Sequence, residues 1–280
     1  MKKNIWYIHE KDIDLTQPVV MGILNVTPDS FSDGGKFYSE ENALEHARKM
    51  IEDGAGIIDV GGESTRPGSK PVSTDEEISR IFPIIKKIAS ESSIPISIDT
   101  RKSEVARAAL EAGASIVNDI SALGDQEMAK VVRESSAGVV LMHIHGDPET
   151  MQENPLDEKI VLEEVKKGLQ DRIEYALQSG IEKSRIVIDP GIGFGKTFKA
   201  NEVLIKKLDK FLDLGFPILV GASRKRFLGE ITGEPPEKRL AGSLAAHIIA
   251  YQNGASIIRT HDVKETKSAL KVVVRCEGEK

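Results

Sequence analysis

The chain has 280 residues, 40% hydrophobic and 29% charged, with a net charge of −6. Length and composition suit one globular unit of (β/α)8 barrel size and exclude a disordered or low-complexity chain. The acidic balance argues against a surface built for nucleic acid, so any bound anion must be met by local positive charge.

The N-terminal stretch MKKNIWYIHE lacks the apolar core of a signal peptide, and no later segment approaches a membrane span, so a cytoplasmic protein is expected. Cys276 stands alone, which removes a disulfide framework and a cysteine-based zinc site and suits a reducing compartment. Ile5 to Ile8 and the stretch around Ile13 to Leu15 read as a short hairpin within residues 1–17, ahead of a barrel over about 18–276.

Eight apolar runs then read as buried strands by length, β-branched content and flanking Gly or Pro: Val19–Asn25, Gly56–Gly61, Pro95–Thr100, Ser115–Ile120, Gly138–Ile144, Arg185–Asp189, Pro217–Ala222 and Ala255–His261. Helical patterns alternate with them, over Glu40–Asp53, Thr74–Ser90, Lys102–Ala112, Gln126–Ser135, Asp157–Ser179, Asn201–Leu214, Glu237–Asn253 and Lys264–Arg275. Strict βα alternation implies a parallel sheet, and eight units with no extra strand favour closure into a (β/α)8 TIM barrel over an open sheet. Gly54, Gly113, Gly138, Gly180, Gly215 and Gly254 punctuate the helix-to-strand side as left-handed helix ends, and Thr74 with Glu77 has capping-box spacing. The strand-to-helix loops Val26–Ser39 and Gly62–Ser73 are the long ones, and loops of that length are usually functional. In a barrel they belong to the C-terminal face, where active sites lie.

Strand parity sorts the residues at that face. Ile96 and Ile98 should face the helices and Ser97 and Asp99 the interior; Ile186 and Ile188 face out and Asp189 in; Arg259 and His261 project together. With Asn25, Asp59 and Asn118, the mouth collects seven residues that no apolar core requires. Adding Lys225 and Arg66 divides it into two zones. Carboxylates and amides suit a flat heterocycle whose N–C–N edge donates two parallel hydrogen bonds, and Arg259, His261 and Arg66 suit a phosphate or diphosphate. Each residue also has a plainer use: Asp and Asn cap helices and turns, Asp189 before Pro190 starts turns, and Arg259 can pair structurally with Asp59 or Asp262.

Three other patterns carry less. Gly191-Ile-Gly193-Phe-Gly195-Lys196-Thr197 looks like a phosphate loop, but a Walker motif needs glycine at Pro190 and a dinucleotide fingerprint needs it at Lys196. His143 and His145 form an H-x-H pair on one strand face that could ligate metal, yet strand one, with Leu24-Asn25-Val26, offers no second pair. The helix over Asp157–Ser179, with Glu163 spaced to meet Lys167, reads as a solvated face.

One motif per strand end resembles the dihydropteroate synthase family: NVTPDSFSDGG (Asn25–Gly35), DVGGESTRPG (Asp59–Gly68), SIDTRK (Ser97–Lys102), VNDI (Val117–Ile120), LMH (Leu141–His143), DPGIGFGK (Asp189–Lys196), GASRK (Gly221–Lys225) and IIRTHDVKET (Ile257–Thr266). The resemblance implies a folate-biosynthesis transferase joining 7,8-dihydropterin-6-ylmethyl diphosphate to 4-aminobenzoate, with Mg2+ assisting and a homodimer as the assembly. It implies that Asp99, Asn118, Asp189 and Lys225 hold the pterin with Met142 on its ring. Asn25, Arg66, Arg259 and His261 would hold the diphosphate, Asn25 also meeting the metal, and Lys225, Arg259 and His261 would serve catalysis. Phe31, Thr65, Pro67, Phe194 and Lys225 would shape the aminobenzoate pocket. Asp33 and Arg66 would belong to loops that close over the site. Two positions depart from the family pattern: His145, where Gln or Arg is usual, and Arg226, where many bacterial members have serine. A pterin-binding methyltransferase of the corrinoid type is the rival enzyme, opposed by the complete first and second loops and the Arg259/His261 pair. A non-catalytic pterin-binding paralogue is the rival of another class; it should have lost Asn25, Lys225, Arg259 or His261, and all are present.

Overall fold

The computed structural model describes residues 4–9, 11–26, 36–64 and 71–278, with 36–39 as helix backbone only. A hairpin comes first, as expected: β1 (Ile5–Ile8) and β2 (Lys11–Asp14) pair antiparallel with Trp6 opposite Ile13. Alternation puts Trp6 and Ile8 on one face, where they are buried, and leaves Tyr7 exposed on the other.

Eight parallel strands then close into a barrel: β3 (Val19–Asn25), β4 (Ile57–Gly61), β5 (Ile96–Asp99), β6 (Ile116–Asp119), β7 (Gly138–Met142), β8 (Ile186–Asp189), β9 (Ile218–Val220) and β10 (Ala255–Thr260). β10 pairs with β3, Arg259 lying opposite Met21. Around the barrel run α1 (Lys36–Glu52), α2 (Thr74–Glu91), α3 (Ser103–Glu111), α4 (Met128–Ser135), α5 (Val161–Gln178), α6 (Phe198–Lys206), α7 (Arg226–Thr232), α8 (Leu240–Gln252) and α9 (Val263–Glu277).

Two apolar cores follow from strand parity. The larger joins outward strand residues such as Ile96, Ile98, Ile186 and Ile188 to helix faces such as Ile81, Ile84, Ile85 and Ile88 of α2. The smaller lies inside the barrel: Met21, Ile57, Ile116, Val140, Val187, Leu219 and Ile257 pack with Trp6, Ile8, Ile13 and Leu15. The hairpin thus plugs the N-terminal end of the barrel. Its seat is fastened by the Trp6 indole N–H donating to Arg185 O at 2.8 Å and the His9 amide donating to Ser136 O at 2.8 Å.

Several local expectations change. Gly138 is not a left-handed helix end; Ser136 takes that conformation at φ 56°. Gly138 is glycine because a Cβ there would lie 2.5 Å from Ile8 Cγ2 of the plug. The α2 cap is Ser73, whose hydroxyl accepts from the Glu76 amide, while Glu77 is buried and turned to Lys102. Helix 201–214 divides: α6, capped by Thr197, ends at Lys206 and a 3-10 stretch runs from Leu208 to Leu214. α7 was not expected because its seven residues are too few for an apolar stripe and contain Gly229, which leaves room for the Arg239 guanidinium. On α5, Lys166 rather than Lys167 makes an ion pair, with Asp213.

Candidate active site

On four of the strands the inward position that is apolar near the plug is followed two residues later, at the mouth, by a polar or charged one. Ile57 leads to Asp59, Ile116 to Asn118, Val187 to Asp189 and Ile257 to Arg259. Because successive inward residues are two apart, the same strands build a dry lower layer and a chemical upper one.

The centre of the upper layer is Arg259. Its Nε donates to Asp59 Oδ2 at 2.6 Å and its Nη2 to Asp99 Oδ2 at 2.7 Å, so the guanidinium reaches past β3 to β4 and β5. The structural alternative for Arg259 is therefore real in part: it pairs with Asp59, but Asp262 belongs to Arg224. Asp59 Oδ2 also accepts from Asn118 Nδ2 at 3.1 Å, which fixes the amide. Asp59 is fully buried, yet among the described residues neither its Oδ1 nor Asp99 Oδ1 has a donor and Ser97 Oγ has no partner. Buried polar atoms without partners are uncommon and costly, and here the two carboxylate oxygens are acceptors suited to a donor-rich guest. Burial pushes the Asp99 carboxyl up and Asp59 adds to the push, against the pull of Arg259. Arg259 itself is raised, the two carboxylates outweighing its burial, and stays charged.

Asp189 closes β8. Its Oδ1 accepts from the Gly191 amide at 2.7 Å, and burial lifts its carboxyl to about 6 despite that bond and despite Lys225, Lys196 and Arg259. Met142 ends the adjacent β7, in register with Asp189, and is buried. Lys225 caps α7 with its ammonium 4.0 Å from the centre of the Phe194 ring. Burial and Arg259 draw Lys225 down to about 8, although Asp189 and Asp99 oppose this. The preceding turn is held by Arg224, at φ 56°, whose amide donates to Ser243 Oγ and whose guanidinium pairs with Asp262. His261 lies just past β10, and Ser223 orients its ring, with Oγ 3.0 Å from Nδ1 and accepting the His261 amide at 3.2 Å. Asn25 tops β3, its Oδ1 near the Gly61 backbone.

The structure therefore brings together Asn25, Asp59, Asp99, Asn118, Met142, Asp189, Phe194, Lys225, Arg259 and His261 at one end of the barrel. Phe31, Asp33, Thr65, Arg66 and Pro67 lie outside the described residues. What is described is the framework flanking 65–70: Lys102 Nζ donates to Glu63 Oε2 at 2.6 Å and to Glu77 Oε2 at 2.7 Å, and the Val72 amide donates to the same Glu63 oxygen at 3.0 Å.

Sequence reasoning assigned no role to Ser223 or Lys196. Ser223 shares its turn with Lys225, so its loop was a usable signal; its pairing with His261, 38 residues on, was not. The H-x-H pair, a weak metal candidate in the sequence, does not share a strand face, because the strand expected over Gly138–Ile144 is shorter. β7 ends at Met142, and His143 turns aside to Lys196 with its ring over Gly168 of α5, where a Cβ would lie 2.7 Å from Cδ2. Among the described residues no group of three or more His, Cys, Asp or Glu could hold a metal ion.

Comparison with known proteins agrees with this geometry. The family described as pterin binding enzyme matches residues 21–261. The dihydropteroate synthase of Escherichia coli K12 is 48% identical over 261 residues, covering 93% of this chain and 92% of its own. The Xanthomonas albilineans dihydropteroate synthase solved with 4-aminobenzoic acid superposes with a TM-score of 0.93 at 43% identity, covering 99% of both chains. That of Yersinia pestis, solved in a sulfonamide drug complex, does so with a TM-score of 0.92 at 40% identity, covering 98% of this chain and 99% of its own.

Proposed function

We infer how the site works from one premise: this chain belongs to the pterin-binding enzymes and, within them, to the dihydropteroate synthases. It is a transferase of folate biosynthesis that condenses 7,8-dihydropterin-6-ylmethyl diphosphate with 4-aminobenzoate to give 7,8-dihydropteroate and diphosphate. The assignment of roles to residues is our proposal, and the observation that carries it is the Arg259 fork between Asp59 and Asp99 at the mouth.

Asp99, Asn118 and Asp189 accept and donate along the pterin edge, with Lys225 on the same ring system and Met142 packed on its face. Asp189 has one oxygen committed to Gly191, and Asp99 Oδ1 has no donor among the described residues, so both present acceptors. Arg259 and His261 face the diphosphate. As the bond between the methylene carbon and the diphosphate oxygen breaks, negative charge grows on the leaving group, and cations held in a site of low polarity stabilise it far more than water would. The electron-rich pterin ring carries the positive charge left on carbon. The aniline nitrogen of 4-aminobenzoate, neutral at pH 7, then attacks, and the weakly basic product nitrogen gives its proton to water without a dedicated base. Ser223 keeps the His261 ring oriented, and Asp59 keeps Arg259 charged and aimed.

Mg2+ takes few protein ligands, retains waters and prefers phosphate oxygens. A single amide oxygen at the rim, that of Asn25, fits such an ion brought in with the diphosphate, where it would neutralise charge on the leaving group. Phe194 lines the aminobenzoate side beside Lys225; Phe31, Thr65, Arg66 and Pro67 complete the pockets in this reading.

The test is incubation of the purified protein with the pterin diphosphate, Mg2+ and 4-aminobenzoate. Diphosphate release with dihydropteroate formation is expected, as is competitive inhibition by sulfonamides against 4-aminobenzoate; no product would sink the reading. We propose a homodimer through the outer face of α7, α8 and α9, where Ile231, Leu240, Ile249 and Val272 are exposed. Light scattering should give twice the chain mass, and a monomer at micromolar concentration would refute it. A cytoplasmic location suits the exposed free thiol of Cys276; recovery of the protein from an extracellular fraction would refute it.

A further inference from the structure

Lys196 ends the glycine-rich loop after β8 and turns to the segment after β7; burial draws its ammonium down to about 7, against the pull of Asp189. Lys196 is 2% exposed, and its Nζ donates to Phe194 O at 2.7 Å and His143 O at 3.2 Å and lies 3.1 Å from His143 Nδ1. An ammonium carries three N–H donors on one atom and no acceptor. Two carbonyls and one imidazole nitrogen converge here, which is the complement of that group, and His143 must then be the tautomer with its proton on Nε2. Burial and Lys196 draw His143 down to about 3, so the ring remains a neutral acceptor.

The loop itself lies flat on the segment after β7. Gly191 and Gly195 have φ of 69° and 67°, and a Cβ on either would come within 1.9 Å of His143 O or 2.1 Å of His145 O. Backbone and side-chain bonds finish the seam: the Leu156 amide donates to Gly195 O at 2.9 Å, Gln152 Nε2 to Gly193 O at 3.1 Å, and the Gly193 amide to Asn201 Oδ1 at 2.6 Å. Phe194 is the residue whose carbonyl Lys196 holds and whose ring meets the Lys225 ammonium.

We propose that Lys196 is a positioning residue for the second substrate: by tying the Phe194 carbonyl to the end of β7, it sets the Phe194 ring against Lys225 without touching either substrate. The proposal rests on the assignment of Phe194 to the aminobenzoate pocket. It accounts for the choice of lysine, since no other side chain offers three donors from a single atom to three buried acceptors.

The experiment measures the KM for 4-aminobenzoate, the Kd for a free pterin and the melting temperature for Lys196→Met, Phe194→Leu and the double variant. Lys196→Met should raise the aminobenzoate KM by roughly tenfold or more, while the pterin Kd moves by less than about threefold. The double variant should be no more than about twofold worse than Phe194→Leu alone, because both changes act through one ring. Multiplying effects, or an equal rise in pterin Kd and aminobenzoate KM, would overturn the proposal. A Phe194→Leu enzyme with unchanged aminobenzoate KM would remove the Phe194 assignment first, and the proposal with it. If Lys196→Met does not fold, Lys196→Gln keeps two N–H donors and should show the same KM-only change at about threefold; an unchanged KM in that folded variant overturns the proposal.

Discussion

The two ends of one barrel make opposite use of the same strands. At the N-terminal end, Trp6, Ile8, Ile13 and Leu15 seal an inner layer of Met21, Ile57, Ile116, Val140, Val187, Leu219 and Ile257. Two residues further along, the interior holds Asp59, Asn118, Asp189 and Arg259, with buried carboxylate oxygens that no described residue satisfies. Close packing of the first layer is what makes the strain of the second tolerable, since a mouth of raised carboxyls and lowered ammoniums contributes little to stability. Stability and chemistry are thus separated along the barrel axis.

Three measurements break or sharpen this contrast. The largest effect is expected from Trp6→Ala at the sealed end. It empties the plug and strands the Arg185 carbonyl, so the protein should lose roughly 3–5 kcal/mol of stability, read by denaturant unfolding. Well below its melting point, kcat/KM should stay within about twofold of the parent, as expected for distant independent sites. A matching collapse of kcat/KM would show that the ends are not separable.

Arg259→Ala at the mouth comes next. Turnover should fall by roughly 10²–10³, the range for a group that meets charge developed in the transition state. Binding of a free pterin, which lacks the diphosphate, should weaken by less than about tenfold. Equal losses in both would make Arg259 a structural strut for Asp59 and Asp99 rather than a catalytic group.

The smallest effect is the pH dependence of free-pterin binding. Asp189 accepts most strongly as the carboxylate, and burial holds it at about 6, with Asp99 also pushed up by burial on the same limb, so binding should weaken as pH falls through that range. Lys225 must keep its proton, and burial with Arg259 holds it at about 8, so binding should weaken again as pH rises through that value. A bell with about tenfold loss per pH unit beyond each limb is expected in calorimetric titrations. A flat profile between about pH 5 and 9 would mean that none of these groups titrates in the site.

Much of this was legible in the residues because parity is local. Alternation along Ile96-Ser97-Ile98-Asp99 or Ile257-Ile258-Arg259 says which side chains share a face once βα repetition says that the faces are an interior and a helix layer. Barrel, N-terminal hairpin and polar mouth follow from that periodicity, but the hairpin's seat inside the barrel does not. Pairings across the interior do not, since they depend on the register in which eight strands close. Arg259 reaches Asp59 and Asp99, 200 and 160 residues away in sequence, only because β10 lies beside β3 and β3 beside β4. Lys196 looked like the end of an imperfect phosphate loop, and His143 like half of a metal pair. Only their meeting across the seam between β7 and β8 turns both into structure. The reason is physical: a side chain's face is decided by its neighbours two residues away, but its partner is decided by which strands the whole chain brings together.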